Sequence, residues 1–429
     1  MSSSLTEIVL PQRPPDMSCP TTVTDGDRLS LFIALEAVED PRDPRGRRYP
    51  LVSILAAAVC AVIAGACTFA AVADWVRFQD HTVWQRLGFT GRVPAATTVW
   101  RLLIRIDAEV FSQVLARWLR GRAAPVLAAG HWWRLVIAVD GKVARGARLG
   151  DGRQVHLLSA YDTSTGIVLA QVQIAAKSNE IPAFTPLLHQ VKAVLGSLDG
   201  VLVVADALHA QVGHADLLAA DSAHLMVTIK ANQRTLHDQV KGLPWSKVPI
   251  GAQTRDTGHG RKETRTVKAL TVATPGGLGF PHAQQAVRIT RTRTTKGKTS
   301  RETAYLTTSL PAGQARPADL GTWARSEWHI ENRLHHVRDV TLREDAHQAR
   351  TGNGPAVFAT LRNTSIGYHH INGATNIAEA TREASHRPHD LITAVTTGKP
   401  TVTTRLGSRL ADSGVCGAVT WGVVSGGTH

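Results

Sequence analysis

The sequence predicts an α/β protein built on a mixed sheet, with an N-terminal all-helical domain and a β-rich insertion. Three observations carry this. Leu135-Val-Ile-Ala-Val139 and Val201-Leu-Val-Val-Ala205 are short, continuous apolar runs, as buried central strands are. A hairpin pattern over Val155–Ile174 precedes a helical stretch at 182–195, so antiparallel and parallel connections mix. Helical periodicity prevails up to about Arg122 and is absent from about Trp245 to Leu310, where Thr264–Val272 and Ala286–Thr295 alternate and Lys296-Gly297-Lys298 turns the chain into Arg301–Thr308.

The chain has 429 residues, room for two or three domains of about 150 residues each. Apolar residues make up 43% and charged residues 19%, a globular composition that excludes wholesale disorder. The four cysteines, Cys19, Cys60, Cys67 and Cys416, are scattered, which excludes a disulfide scaffold and reads as reduced thiols in a cytosolic protein. The net charge is +14, and 37 of the 48 basic residues are arginine, the side chain suited to bidentate phosphate contacts.

Residues 1–25 are rich in Pro, Ser and Thr and read as a flexible N-terminus with no signal peptide. Residues 26–125 read as the helical domain: Leu31, Leu35 and Val38 share a face, and Val99, Leu102, Leu103, Ile106, Val110, Leu115, Trp118 and Leu119 continue the period. Within it Leu51–Ala73 is uncharged and long enough to cross a bilayer, but alanine dominates it, so a buried soluble helix is expected and no membrane contact. Residues 130–245 and 317–372 form the sheet-bearing domain, with 246–316 as the β-rich insertion. The tail, 373–429, carries no clear element signal.

Two carboxylates, Asp140 and Asp206, directly follow buried strands, and residues just past adjacent strand ends converge on one crevice. Carboxylates there must be neutralised or bind a cation, and Mg²⁺ suits a few carboxylates with phosphate oxygens. The bland alternative is that Asp140 caps a turn and Asp206 caps the following helix. On the helix 323–337, Trp323, Ile330, Leu334 and Val337 form the buried stripe, with Glu331 at its margin and His335 and Arg338 following at i+4 and i+7. Read by spacing alone, Glu331 is an exposed acid paired with one of them.

Six motifs occur in a fixed order: VIAVDGK with Asp140, KSNEI (177–181), VVADA with Asp206, IKANQ (229–233), HGRKETR (259–265) and WHIENRLHHVRDVTLRED (328–345). Together they resemble the ISAs1 group of bacterial insertion-sequence transposases, within the IS4-like DDE class. The stretch from DPRDPRGRRYP onward resembles the helical domain upstream of that catalytic domain, and the resemblance covers about residues 29–372.

The resemblance implies an RNase H-like catalytic domain with Asp140, Asp206 and Glu331 as catalytic and metal-holding residues. Asp339, Glu344 and Asp345 compete for the third place. It implies two Mg²⁺ ions, with Mn²⁺ able to substitute, and phosphoryl transfer without a covalent protein intermediate. It also implies double-stranded DNA as partner, both transposon ends and target, a homo-oligomer on DNA, and a bacterial cytoplasmic location at the nucleoid. Where the IS4-like class often carries Tyr, Arg and Lys around the Glu, this chain has Ala324, Glu327 and Arg338, so a hairpin intermediate is not implied.

Arg288, Arg291, Arg293, Lys296, Lys298 and Arg301, with Arg261, Arg265 and Arg338, are the expected DNA contacts. Lys142, Lys177, Asn179, Glu180, His259, Asn332 and His335 are the expected supporting residues; for Lys177, Asn179 and Glu180 capping of the following helix is at least an equal reading. The histidines show no structural zinc spacing. The competing function is a catalytically inactive, transposase-derived DNA-binding protein.

Overall fold

Strand β1 (Val136–Arg148) pairs on one side with the antiparallel β2 (Gln154–Asp162), which pairs in turn with β3 (Val168–Gln173), and on the other with the parallel β4 (Leu202–Ala205), beside which β5 (His224–Ile229) runs parallel. The crossovers run through α7 (Glu180–Leu195) and α8 (Val212–Ala220). This is the RNase H-like arrangement that the resemblance implied. The computed structural model describes residues 30–123, 134–149, 151–175, 178–258, 260–273 and 277–397. Lys177 and His259 lie outside them.

The continuous apolar runs are central strands because both faces are covered. Leu202, Val203, Val204 and Ala205 are all buried, and each large side chain among them contributes roughly 1.5–3 kcal/mol over exposure. Along β1, Ile137 and Val139 join the core beneath α7, while Ala138 faces Ile330 and Leu334 on the opposite side. Asp140 follows the Ala138 face, one step beyond the buried run.

The β-rich insertion continues this sheet. Strands β6 (Ala252–Gly258), β7 (Arg261–Thr271), β8 (Gln285–Thr295) and β9 (Lys298–Thr308) extend it antiparallel from β5, in the order β5-β9-β8-β7-β6. The β8–β9 turn places Lys296 and Gly297 at φ of 48° and 74°, a left-handed pair that matches the strand twist of a tight hairpin. Helix α9 (Arg234–Lys241) links β5 to the insertion.

Helix α2 (Leu51–Ile63) is buried on nearly every side. Its alanines let α12 (Gly354–Ile371) lie close, where the Ser365 hydroxyl donates to the Val62 carbonyl at 3.2 Å and His369 Nε2 sits 3.1 Å from that of Ile63. The uncharged stretch is thus interior packing, and no helix of the described residues is long and apolar enough to cross a membrane. Helix α6 (Ala108–Arg122) reaches β3 and α7, so the helical region and the sheet share one apolar core. Beyond 373, α13 (Ile377–His386) and α14 (Pro388–Thr396) pack back on the helical region, and His389 Nε2 meets Asp80 at 2.7 Å.

Candidate active site

Asp140 and Asp206 stand side by side because β1 and β4 are parallel and in register, with Val139 opposite Ala205. Asp206 caps the short 3₁₀ turn that follows it, whereas β1 continues through Asp140 to Arg148, so Asp140 neither ends its strand nor caps a turn. Gly141 N donates to Asp140 Oδ1 at 2.9 Å, and Leu208 N to Asp206 Oδ1 at 2.8 Å. These bonds use one oxygen of each; Asp206 Oδ2 lies 3.9 Å from Lys230 Nζ.

Opposite them, α10 (Pro317–His329) widens into a π-helical turn over Ile330–His335 and returns to α in α11 (His336–Val340). Ile330 and Leu334 anchor the turn on Ala138 of β1, and this brings Glu331 and His335 over Asp140. His335 Nδ1 lies 3.2 Å from Glu331 Oε2 and 3.6 Å from Asp140 Oδ2. The His335 contact holds Glu331 below the usual carboxylate range. Asp140, Glu331 and His335 each offer a ligand atom within 4.8 Å of the others.

Two further acids join them. Glu180, at the start of α7, sits between His156 Nε2 at 3.2 Å and His209 Nε2 at 3.4 Å. A β-carbon on Gly141 would lie 2.1 Å from its Oε1, so the glycine after Asp140 makes room for this carboxylate. Burial raises Glu180, but the two imidazoles outweigh it and hold it down to about 2. Glu327, one helical turn before Glu331, is pushed up to about 7 by burial and then by the charges of Asp206 and Asp140. Asp140 itself rises to about 7, from burial first and then from Glu180, with smaller contributions from Glu331 and Asp206.

The competitors for the third place are engaged elsewhere. Asp339 accepts from Lys142 Nζ at 2.7 Å, and Asp345 pairs with Arg145. Glu344 is buried and takes both arms of Arg338, Nε at 2.9 Å and Nη2 at 2.8 Å, with Arg362 Nη1 at 3.4 Å. Burial raises Glu344, but the two guanidiniums hold it down to about 2. Asp140 and Glu327, raised by burial and then by neighbouring acids, thus lack comparable cationic partners, and an oxygen-rich set of this kind fits a divalent cation.

The expected DNA contacts divide. Arg338 has no accessible surface, so its role is to anchor the segment after Glu331, not to meet a phosphate. In the insertion, alternation sends Arg265, Arg291 and Arg293 to one face, where Glu263 pairs with Arg265 and with Arg293 Nε at 3.1 Å, and Glu302 with Arg291 at 2.6 Å. Arg288 points to the other face, over the Trp245 ring. Arg261, Lys296, Lys298 and Arg301 are exposed near the hairpin end. Of the expected supporting residues, Lys142 and Glu180 border the site and Asn179 caps α7 through Ile181 N. Asn332 bonds back to the Trp328 carbonyl.

Sequence reading missed Glu327, His156 and His209. Glu327 carried one usable signal: four residues before Glu331, it shares that helix face.

A family model described as a transposase DDE domain matches residues 133–366, and one described as DDE_Tnp_1-associated matches 32–119. The chain is 27% identical over 352 residues to "Putative transposase YncI" of Escherichia coli O157:H7, covering 79% of this chain and 86% of that one. It is 24% identical over 355 residues to "H repeat-associated putative transposase YhhI" of Escherichia coli strain K12, covering 78% and 89%. Among solved structures it is similar to a piggyBac transposase synaptic complex with hairpin DNA, at a TM-score of 0.42 and 12% identity over 90% of this chain and 83% of that one.

Proposed function

The chain belongs to the family of transposases with a DDE domain, and from that premise we propose that it cuts and joins DNA at the ends of a bacterial insertion sequence of the ISAs1 group, with Asp140, Asp206 and Glu331 as its three metal-holding acids. The observation that carries this reading is the meeting of Asp140, within β1, and Glu331, with Asp206 beside them just past the end of β4.

Divalent metal ions, Mg²⁺ with Mn²⁺ able to substitute, supply polarisation of the scissile phosphate and a more acidic attacking hydroxyl when bound. The chain's own residues hold the site in place. The π-helical turn sets Glu331 above Asp140, Lys142 ties β1 to Asp339 of α11, and the Arg338–Glu344 pair fixes the segment that follows. Exposed Lys296, Lys298, Arg301 and Arg261 offer contacts to DNA phosphates.

In the first step water forms a bond to phosphorus, the bond to the 3′ oxygen breaks, and that oxygen leaves as a 3′-OH. In the second the freed 3′-OH attacks a target phosphate in line and displaces the target's own 3′ oxygen. No side chain becomes covalently attached. The partners are double-stranded transposon ends and target DNA, engaged by a homo-oligomer at the bacterial nucleoid.

The test is strand transfer. Pre-cut terminal DNA bearing a 3′-OH, supplied with Mg²⁺ and plasmid, should be joined to the plasmid, and the same end lacking that hydroxyl should not. Nicking without joining would reduce the protein to a nuclease, and binding alone would favour an inactive, transposase-derived DNA-binding protein.

A further inference from the structure

We propose that His335 is a nitrogen ligand to the cation held by Asp140 and Glu331, so that this half of the centre is a two-carboxylate, one-imidazole site. The inference rests on the reading of these acids as metal-holding residues.

Three observations place the imidazole there. Its Nδ1 is 3.2 Å from Glu331 Oε2 and 3.6 Å from Asp140 Oδ2. Donor atoms about 2.1 Å from one ion lie roughly 3 Å apart when adjacent and about 4.2 Å apart when opposite, and all three atoms lie within 4.8 Å of one another, so one ion can reach them after modest shifts. The His335 side chain is 4% exposed, which fixes the ring, and its Nε2 has no hydrogen-bond partner. The ring is therefore committed to the two carboxylates through Nδ1 alone. Finally, Glu331 and His335 both lie on the π-helical turn, a local widening frequent at functional sites. Across that turn they keep the i, i+4 relation by which helical residues reach one ion.

A nitrogen donor changes which ion is preferred. Mg²⁺ favours oxygen ligands, whereas imidazole suits transition metals. The full-length protein should accordingly bind Mn²⁺ more tightly than Mg²⁺, and His335→Ala should narrow that gap by lowering Mn²⁺ affinity at least about tenfold.

The deciding experiment is pulsed electron paramagnetic resonance of full-length wild-type protein loaded with Mn²⁺ alone. Modulation from a directly bound imidazole ¹⁴N is expected, absent in His335→Ala and in Asp140→Asn. Because the wild-type spectrum decides, poor folding of a variant does not blunt the test. Mn²⁺ bound without nitrogen modulation overturns the His335 assignment and leaves the acidic triad standing. No Mn²⁺ bound at all overturns both.

Discussion

Glu327 and Glu331 lie one turn apart on the same helical segment, and the two carboxylates meet different surroundings. Glu331 faces His335 and Asp140, while Glu327 is pushed up to about 7 by burial and the two aspartates. Glu331→Gln should therefore abolish cleavage with DNA binding intact, and Glu327→Gln should retain measurable cleavage. The reverse pattern, read in one cleavage assay, would move the third acid to Glu327. Asp140 and Asp206 were legible in the sequence because an acid closing an apolar run is conspicuous, although β1 itself continues past Asp140 to Arg148. Glu331 was legible only through its motif; spacing alone describes the Glu331–His335 pair and stops there. Glu327 escaped because an apolar stripe marks the buried face of a helix but says nothing about an acid tucked against another element's carboxylates.

At the scale of elements, the segment after Glu331 is tied down by charge. Glu344 lies between Arg338 and Arg362, all three buried. Glu344→Gln leaves two guanidiniums without their counter-charge, and such a break costs about 3–5 kcal/mol, read as a lower denaturant midpoint. An unchanged midpoint would contradict a structural role for the network. In the insertion, alternation splits the arginines between two faces, and acids already engage Arg265, Arg291 and Arg293. Neutralising Lys296, Lys298 and Arg301 together should thus lower the salt slope of DNA binding by up to about 3, near 0.9 per lost phosphate contact. An unchanged slope would remove the hairpin end from the DNA path. The alternating strands were legible and β6 was not, because AQTRDTG has no apolar alternation and pairs only as an exposed edge. α13 and α14 were missed for want of long periodicity, although Asn376, whose side chain accepts from Glu379 N, and Pro388 at a first helical turn mark both starts.

Over the whole molecule, one apolar core joins the helical region to the sheet through α12, and histidines are buried in it. Burial lowers His347 and His369 to about 4, against about 6.5 unfolded. The unfolded chain binds more protons between those values. Their contribution is therefore complete above about 6.5 and is lost as pH falls toward 4, at about 1.4 kcal/mol per pH unit for each proton. His224 and His370 are lowered to about 4 as well, so four imidazoles outnumber Asp140 and Glu327, the two acids raised to about 7, whose effect over the same window has the opposite sign. Denaturant midpoints measured from pH 7 to 4 should therefore fall, and a flat profile would contradict burial of neutral imidazoles. The mixed sheet and the helical region were legible from apolar runs and periodicity. Their union into one core was not, because it depends on α6 meeting β3 and α7 and on α12 meeting α2, contacts between residues far apart in sequence. The most direct test of the central claim is Mg²⁺-dependent cleavage of the DNA flanking this gene by wild type and by Asp140→Asn. Cutting at defined ends by wild type alone is the expected result; equal cutting by both proteins, or binding without cutting by both, would contradict it.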